Sequence, residues 1–174
     1  MPPKIPLPTD AELAPDIRER LATLPPLNVF RMMANAPASF HALFDLATSI
    51  LMQSEFDARK REIAVLRVAH VTRSRYEWVQ HVRVAEMTGV TAEEIDRIGQ
   101  DGPVQGLDEE STLICRVADE ISRDVRLSDE ALEAIVSRYG VCQATELILC
   151  CSYFNMVSRF LESTRVELED ETAL

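Results

Sequence analysis

The stretch that decides the fold is residues 57–90, "DARKREIAVLRVAHVTRSRYEWVQHVRVAEMTGV". It divides into two amphipathic runs around "RSRY" (73–76). In the first, Asp57 is a natural N-cap, and Ile63, Leu66 and Val68 to Val71 form a buried side at helical spacing. The second begins near Tyr76 and ends at Gly89, the residue type that most readily takes the left-handed conformation closing a helix. The pattern predicts two helices joined by a short turn. Polar and aromatic side chains gather at that turn: Tyr76, Glu77, Trp78 and His81 after it, Glu62 before it.

Working outward, the same periodicity continues in both directions. Upstream, Phe40, Leu43, Phe44, Ala47, Ile50 and Leu51 share one face and predict a helix over about 38–53. "VFRMMANA" reads as a short helix stopped by Pro37. "TDAEL" resembles a helix start, with Thr9 as N-cap and Glu12 three residues on, continued by "PDIRERLATL" as far as Pro25. Downstream, Thr91 and Glu94 form a capping-box pair for a helix ending at Gly99 or Gly102. Three further helices are predicted at about 108–124, 128–139 and 141–165. "VELEDETAL" reads as an acidic, solvated tail. The predicted architecture is all-α, a single-domain helical bundle.

Composition narrows the function. Apolar residues make up 47% of 174, enough for one sizeable core and too many for a disordered chain. The net charge of −11 argues against nucleic acid or an anionic membrane as partner, since binding phosphate requires a surplus of Lys and Arg. No run is long enough to span a membrane. "LILCCSYFNMV" (147–157) is the best and is too short, and the N-terminus lacks the apolar core of a signal peptide. Cysteines at 115, 142, 150 and 151 show no C-x-x-C spacing. They read as reduced thiols, mostly core packing, in a cytoplasmic protein.

Glu77 and His81 are four residues apart and so share one face of a helix. The bland reading is a surface pair near a helix N-terminus; the functional one is a carboxylate orienting an imidazole for proton transfer. Glu62 is harder to place. In a simple antiparallel hairpin it lies about 18 Å from the turn and His81 about 9 Å, at 1.5 Å per residue. Contact between them therefore needs an irregular turn or a late helix start. Two carboxylates and one imidazole have no metal-site spacing signature, and no metal or other cofactor is expected. His41 and His70 sit in apolar-periodic helices and read as packed or boundary residues.

Segments 59–95, 24–44 and 153–168 together resemble the carboxymuconolactone decarboxylase and alkylhydroperoxidase D-like superfamily. The resemblance covers about 24–168, leaving an N-terminal extension with a first helix (1–23) and an acidic tail (169–174). The peroxidase branch carries a Glu, then C-x-x-C, then a His four residues after the second Cys. Glu62 and His81 match the Glu and His of that pattern, but Ser74 and Glu77 stand at the two cysteine positions. A dithiol cycle is therefore not supported. The decarboxylase branch commonly reads Glu-aromatic-x-x-His, which "EWVQH" (77–81) matches.

The resemblance implies an AhpD-like helical bundle assembled as homotrimers or hexamers of trimer units. It also implies a cofactor-free lyase or isomerase acting on a small organic acid or lactone. In that scheme His81 donates or relays the proton and Glu77 orients it, with Glu62 as a second acid/base. Tyr76 and Trp78 line the pocket, and Arg31 anchors the substrate anion. The alternatives are a thiol-dependent peroxidase of the alkylhydroperoxidase D type and a non-catalytic small-molecule-binding or scaffold protein on the same fold. Long apolar faces over 38–53 and 141–165 independently favour self-association.

Overall fold

The chain, described by a computed structural model over residues 4–169, is helical throughout, with no strand among the described residues. The helices are α1 (Pro15–Ala22), α2 (Asn28–Met33), α3 (Pro37–Thr48), α4 (Ala58–Thr72), α5 (Arg75–Met87), α6 (Ala92–Ile98), α7 (Glu109–Asp124) and α8 (Asp129–Thr164). Residues 1–3 and most of the expected acidic tail, from 170 on, lie outside the described residues.

Helix α4 is the axis of the bundle. Every residue from Arg61 to Ala69 is buried, because α5, α7 and α8 pack around it. Ile63 and Leu66 are fully enclosed, each contributing about 1.5–3 kcal/mol of apolar burial. Asp57 caps α4 as expected, accepting the Lys60 backbone N–H at 3.0 Å. The helix ends at Arg73, whose φ of 57° is left-handed. Only Arg73 and Ser74 separate α4 from α5, so the chain reverses sharply.

A helix buried on all sides must also bury its charges, and Arg67 shows how. Its guanidinium is fully enclosed, yet every N–H donates. Asp119 accepts at 2.8 and 3.0 Å, and the Ile98, Gln100 and Gly102 carbonyls accept at 2.8, 2.7 and 2.5 Å. One side chain thereby pins the 98–102 turn and α7 to α4. Periodicity treats Arg67 as an ordinary surface arginine and misses this role.

The expected Asp57 and Thr91–Glu94 caps are both present, and two further helices are capped as well. Thr91 and Glu94 form the reciprocal capping box, Asp108 caps α7 through Ser111, and Ser128 caps α8. Gly140, at φ 74° and ψ 173°, breaks α8 at the point where two helices were expected.

Two expectations are corrected. Thr9 and Glu12 do bond each other, but only within a turn. Pro15 forces Ala14 into an extended conformation (ψ 147°), so α1 starts at the proline. The helix expected to run to residue 53 is α-helical only to Thr48 and continues as a π turn over Ser49–Gln53.

Candidate active site

His81 lies between two buried carboxylates. Its Nδ1 is 2.7 Å from Glu62 Oε2, across the α4–α5 interface. Its Nε2 is 3.6 Å from Glu77 Oε2, one turn back on α5. Glu62 is fully enclosed, Glu77 is 4% exposed, and the imidazole retains 14% exposure. The ring is seated edge-on against Phe154 of α8, with centroids 4.9 Å apart.

The obstacle to Glu62 reaching His81 is removed by the turn. Because α4 runs to Thr72 and α5 resumes at Arg75, Glu62 is ten residues from one helix end and His81 six from the other. The axial offset falls to about 6 Å, roughly one turn. Two side chains leaning across the interface span it. The left-handed Arg73 supplies the irregular turn that contact requires.

The geometry divides the labour between the carboxylates. A carboxylate can only accept, so Nδ1 carries the hydrogen donated to Glu62, leaving Nε2 as the nitrogen that takes or gives a proton. At 3.6 Å the approach of Nε2 to Glu77 is longer than a hydrogen bond. The hydrogen-bonded neighbour of the imidazole is therefore Glu62 rather than Glu77.

The electrostatics agree. Burial alone lowers the basicity of His81, but the hydrogen bond to Glu62 and the charges of both carboxylates outweigh it and raise its pKa. Glu77 is also raised, chiefly by burial, with His81 opposing and Glu62 reinforcing. Glu77 is thus biased toward a protonated acid beside an imidazole biased toward its cation.

Arg61 joins this cluster, although neither spacing nor resemblance singles it out. It is 8% exposed, its Nε sits 3.8 Å from Glu62 Oε1, and that Nε has no hydrogen-bond partner. Glu62 Oε1 and Glu77 Oε2 likewise have none. A buried cation and two carboxylate oxygens with unmet bonding capacity are what a small polar substrate would engage. The only advance signal was an arginine inside a helix otherwise patterned for burial.

The other expected pocket residues lie elsewhere. Arg31 is engaged by the Pro8 carbonyl and the Asp10 carboxylate, both at 2.8 Å. Tyr76 is buried, accepts the Val29 backbone N–H at 3.1 Å, and donates to Glu169. Trp78 faces a separate cavity with His70. Glu169, expected to be solvated, instead accepts from Tyr76, from Gln80 at 2.6 Å and from the Asn28 backbone N–H at 2.5 Å. His41 and His70 pair with Asp16 and Asp101 near the surface.

All four cysteines are free thiols. Burial pushes Cys115 and Cys151 up to about 12 and Cys150 well above the ordinary thiol range. Such groups are poor thiolates at neutral pH. Among the described residues no group of three or more His, Cys, Asp or Glu is disposed to hold a metal ion. No helix there is long and apolar enough to cross a membrane.

The sequence profile of the carboxymuconolactone decarboxylase family matches residues 37–120, the span that carries Glu62, Glu77 and His81. The family segment thus holds the whole cluster except the Phe154 wall. No curated protein matches the chain in sequence.

Solved structures share the fold. A peroxidase-related protein with an alkylhydroperoxidase AhpD core from Ralstonia eutropha JMP134 superposes with a TM-score of 0.83 at 18% identity, covering 98% of this chain and 94% of its own. A peroxidase-related protein from Silicibacter sp. TM1040 gives 0.83 at 15%, with the same coverage. A protein of unknown function from Agrobacterium tumefaciens gives 0.70 at 15%, covering 78% and 93%. The chain therefore has the AhpD-like all-α fold, in a single domain.

Proposed function

We propose that this protein is a cofactor-free acid/base enzyme, a decarboxylase-like lyase or an isomerase acting on a small organic acid or lactone. One observation carries the reading: a single imidazole bridges two buried carboxylates, bonded to Glu62 through Nδ1 and facing Glu77 through Nε2. Decarboxylation of a conjugated lactone acid, or migration of its double bond, passes through an enolate-like state. It then needs a proton delivered to carbon.

In this scheme Glu77, biased toward its protonated form by burial, delivers that proton, and His81 restores it while Glu62 holds the ring. Arg61 takes the anion-anchoring role first given to Arg31, because its Nε is buried and unpartnered. The pocket forms in an oligomer. Val84 and Met87 on α5 and Leu149 and Met156 on α8 are exposed apolar residues, the kind of surface that a trimeric or hexameric assembly would cover.

The test is turnover of a γ-carboxymuconolactone-type acid, followed by CO2 release and ultraviolet absorbance. His81→Asn is expected to lower it by about 10²–10⁴-fold with an unchanged helical spectrum. Full activity in that variant would remove His81 from the mechanism.

The thiol-peroxidase reading draws on the names of the structural neighbours. Against it stand Ser74 and Glu77 at the cysteine positions and the burial of Cys150 and Cys151, which pushes both thiols above their ordinary range. Thiol-coupled hydroperoxide reduction by this chain, lost in a cysteine-free variant, would restore it.

A further inference from the structure

A cavity of about 620 Å3 opens where the α4–α5 turn meets the 99–101 loop and the end of α7. Its wall carries Arg73, Arg75 and Arg123, with the Trp78 indole, the His70 imidazole and Ser74. The charge here runs against the chain as a whole, which is −11. Most of its arginines are held by carboxylates. The guanidinium groups of Arg73 and Arg75, by contrast, have no hydrogen-bond or ion-pair partner among the described residues. Arg123 has only a 3.9 Å approach to Asp119, which already serves Arg67. The one carboxylate in the wall, Asp101, is paired with His70 at 3.2 Å.

Two further features point to an anion. Ser74 is the N-cap of the thirteen-residue α5 but makes no side-chain capping bond. Its hydroxyl is buried without any partner. The first turn of α5 therefore keeps the partial positive charge of an uncapped helix N-terminus, beside two free guanidinium forks. The other wall is aromatic. Trp78 is half-buried, with His70 edge-on at 6.1 Å, and its ring edge rests on Gly99, where a β-carbon would come within 3.0 Å. An indole held flat beside unpaired guanidinium groups suits a planar ring bearing a negative charge.

We infer that this cavity is a binding site for a small aromatic carboxylate, separate from the His81 cluster. The ring lies against Trp78, and the carboxylate meets Arg73, Arg75 and the α5 N-terminus. Trp78 is the only tryptophan in the chain, so its fluorescence reports on this cavity alone.

The experiment titrates the full-length protein with benzoate and follows Trp78 emission, with acetate and inorganic phosphate as parallel arms. Benzoate is expected to give a saturable change that weakens as salt is added. The Arg73→Gly/Arg75→Gln double variant should bind about tenfold more weakly, while His81→Asn should bind as the wild type does. Glycine accepts the left-handed backbone at position 73, and circular dichroism checks that the fold is kept. No saturable response to benzoate, or undiminished affinity in the double variant, overturns the assignment. Acetate or phosphate binding as tightly as benzoate overturns its aromatic part. Loss of the response in His81→Asn would show that benzoate sits at the catalytic cluster instead, and would leave the acid/base proposal untouched.

Discussion

Glu62→Gln is the sharpest perturbation of the proposed machinery. The substitution keeps shape and size but removes the negative charge 2.7 Å from His81 Nδ1. At that separation, with an effective dielectric of about 20, the gross attraction between full charges is about 6 kcal/mol. Most of that offsets the cost of burying both groups. The net loss expected is that of a charge-assisted hydrogen bond turned neutral, about 1.5–3 kcal/mol. The imidazole should respond as well. Burial is already the largest single influence on it and opposes the cation. Without Glu62 only Glu77 still favours the cation, so the His81 pKa should fall. Urea denaturation measures the first effect. Proton–carbon NMR of labelled histidine measures the second, with His81→Asn identifying the signal among three histidines. A stability loss under 0.5 kcal/mol together with an unmoved His81 titration would refute the assignment of Glu62 as the orienting partner.

Three other outcomes follow from the same geometry. His81 and Glu77 both have raised pKa values. The stability they contribute is therefore complete below their unfolded values, near 6.5 and 4.5, and is lost as pH rises through the folded ones. Each gives a slope of at most about 1.4 kcal/mol per pH unit in its window. Chemical denaturation from pH 5 to 8 should show this decline, and Glu77→Gln should flatten it; an identical slope in the variant would count against a buried, proton-holding Glu77. Arg67→Leu strands Asp119 and three backbone carbonyls, so equilibrium unfolding should show a loss of about 3–5 kcal/mol, and a loss below 1 would contradict the role given to this residue. Glu169→Ala releases the Tyr76 hydroxyl, whose pKa is raised by burial first and by Glu169 second. Ultraviolet titration should find one tyrosine ionising at lower pH than in the wild type.

What the sequence made legible was whatever depends on near neighbours. The Asp57 cap, the Thr91–Glu94 capping box and the break at Gly140 involve residues within a turn of one another. Their chemistry is visible in the order of the letters. The Glu77–His81 pairing was visible for the same reason. Arg67 was not, because its partners lie more than thirty positions away, and burial of a guanidinium depends on three carbonyls that only the folded 98–102 turn brings into line. Arg31 is the opposite case. Its resemblance-derived role ignored the Asp10 carboxylate that the N-terminal segment folds back against it.

The Glu62 contact shows most clearly what linear arithmetic leaves out. Counting residues along a simple hairpin leaves an axial mismatch of about 9 Å, nearly two helical turns, between the two groups. One left-handed residue, Arg73, shortens the connection to two residues and removes about a third of that mismatch. The remainder is within side-chain reach. Positive φ at an arginine is unfavourable, and it is tolerated here where α4 must stop abruptly for α5 to begin. The same compact reversal places Glu62 against His81 on one side and sets Arg73 beside the Trp78 cavity on the other. If Arg73→Gly relaxes the backbone while keeping the turn, stability should rise slightly and the His81 titration should stay unchanged. Arg73→Val, which resists φ near 57°, should loosen the turn and weaken the Glu62 bond, lowering the His81 pKa. An unchanged His81 titration in the valine variant would show that the reversal does not position the site.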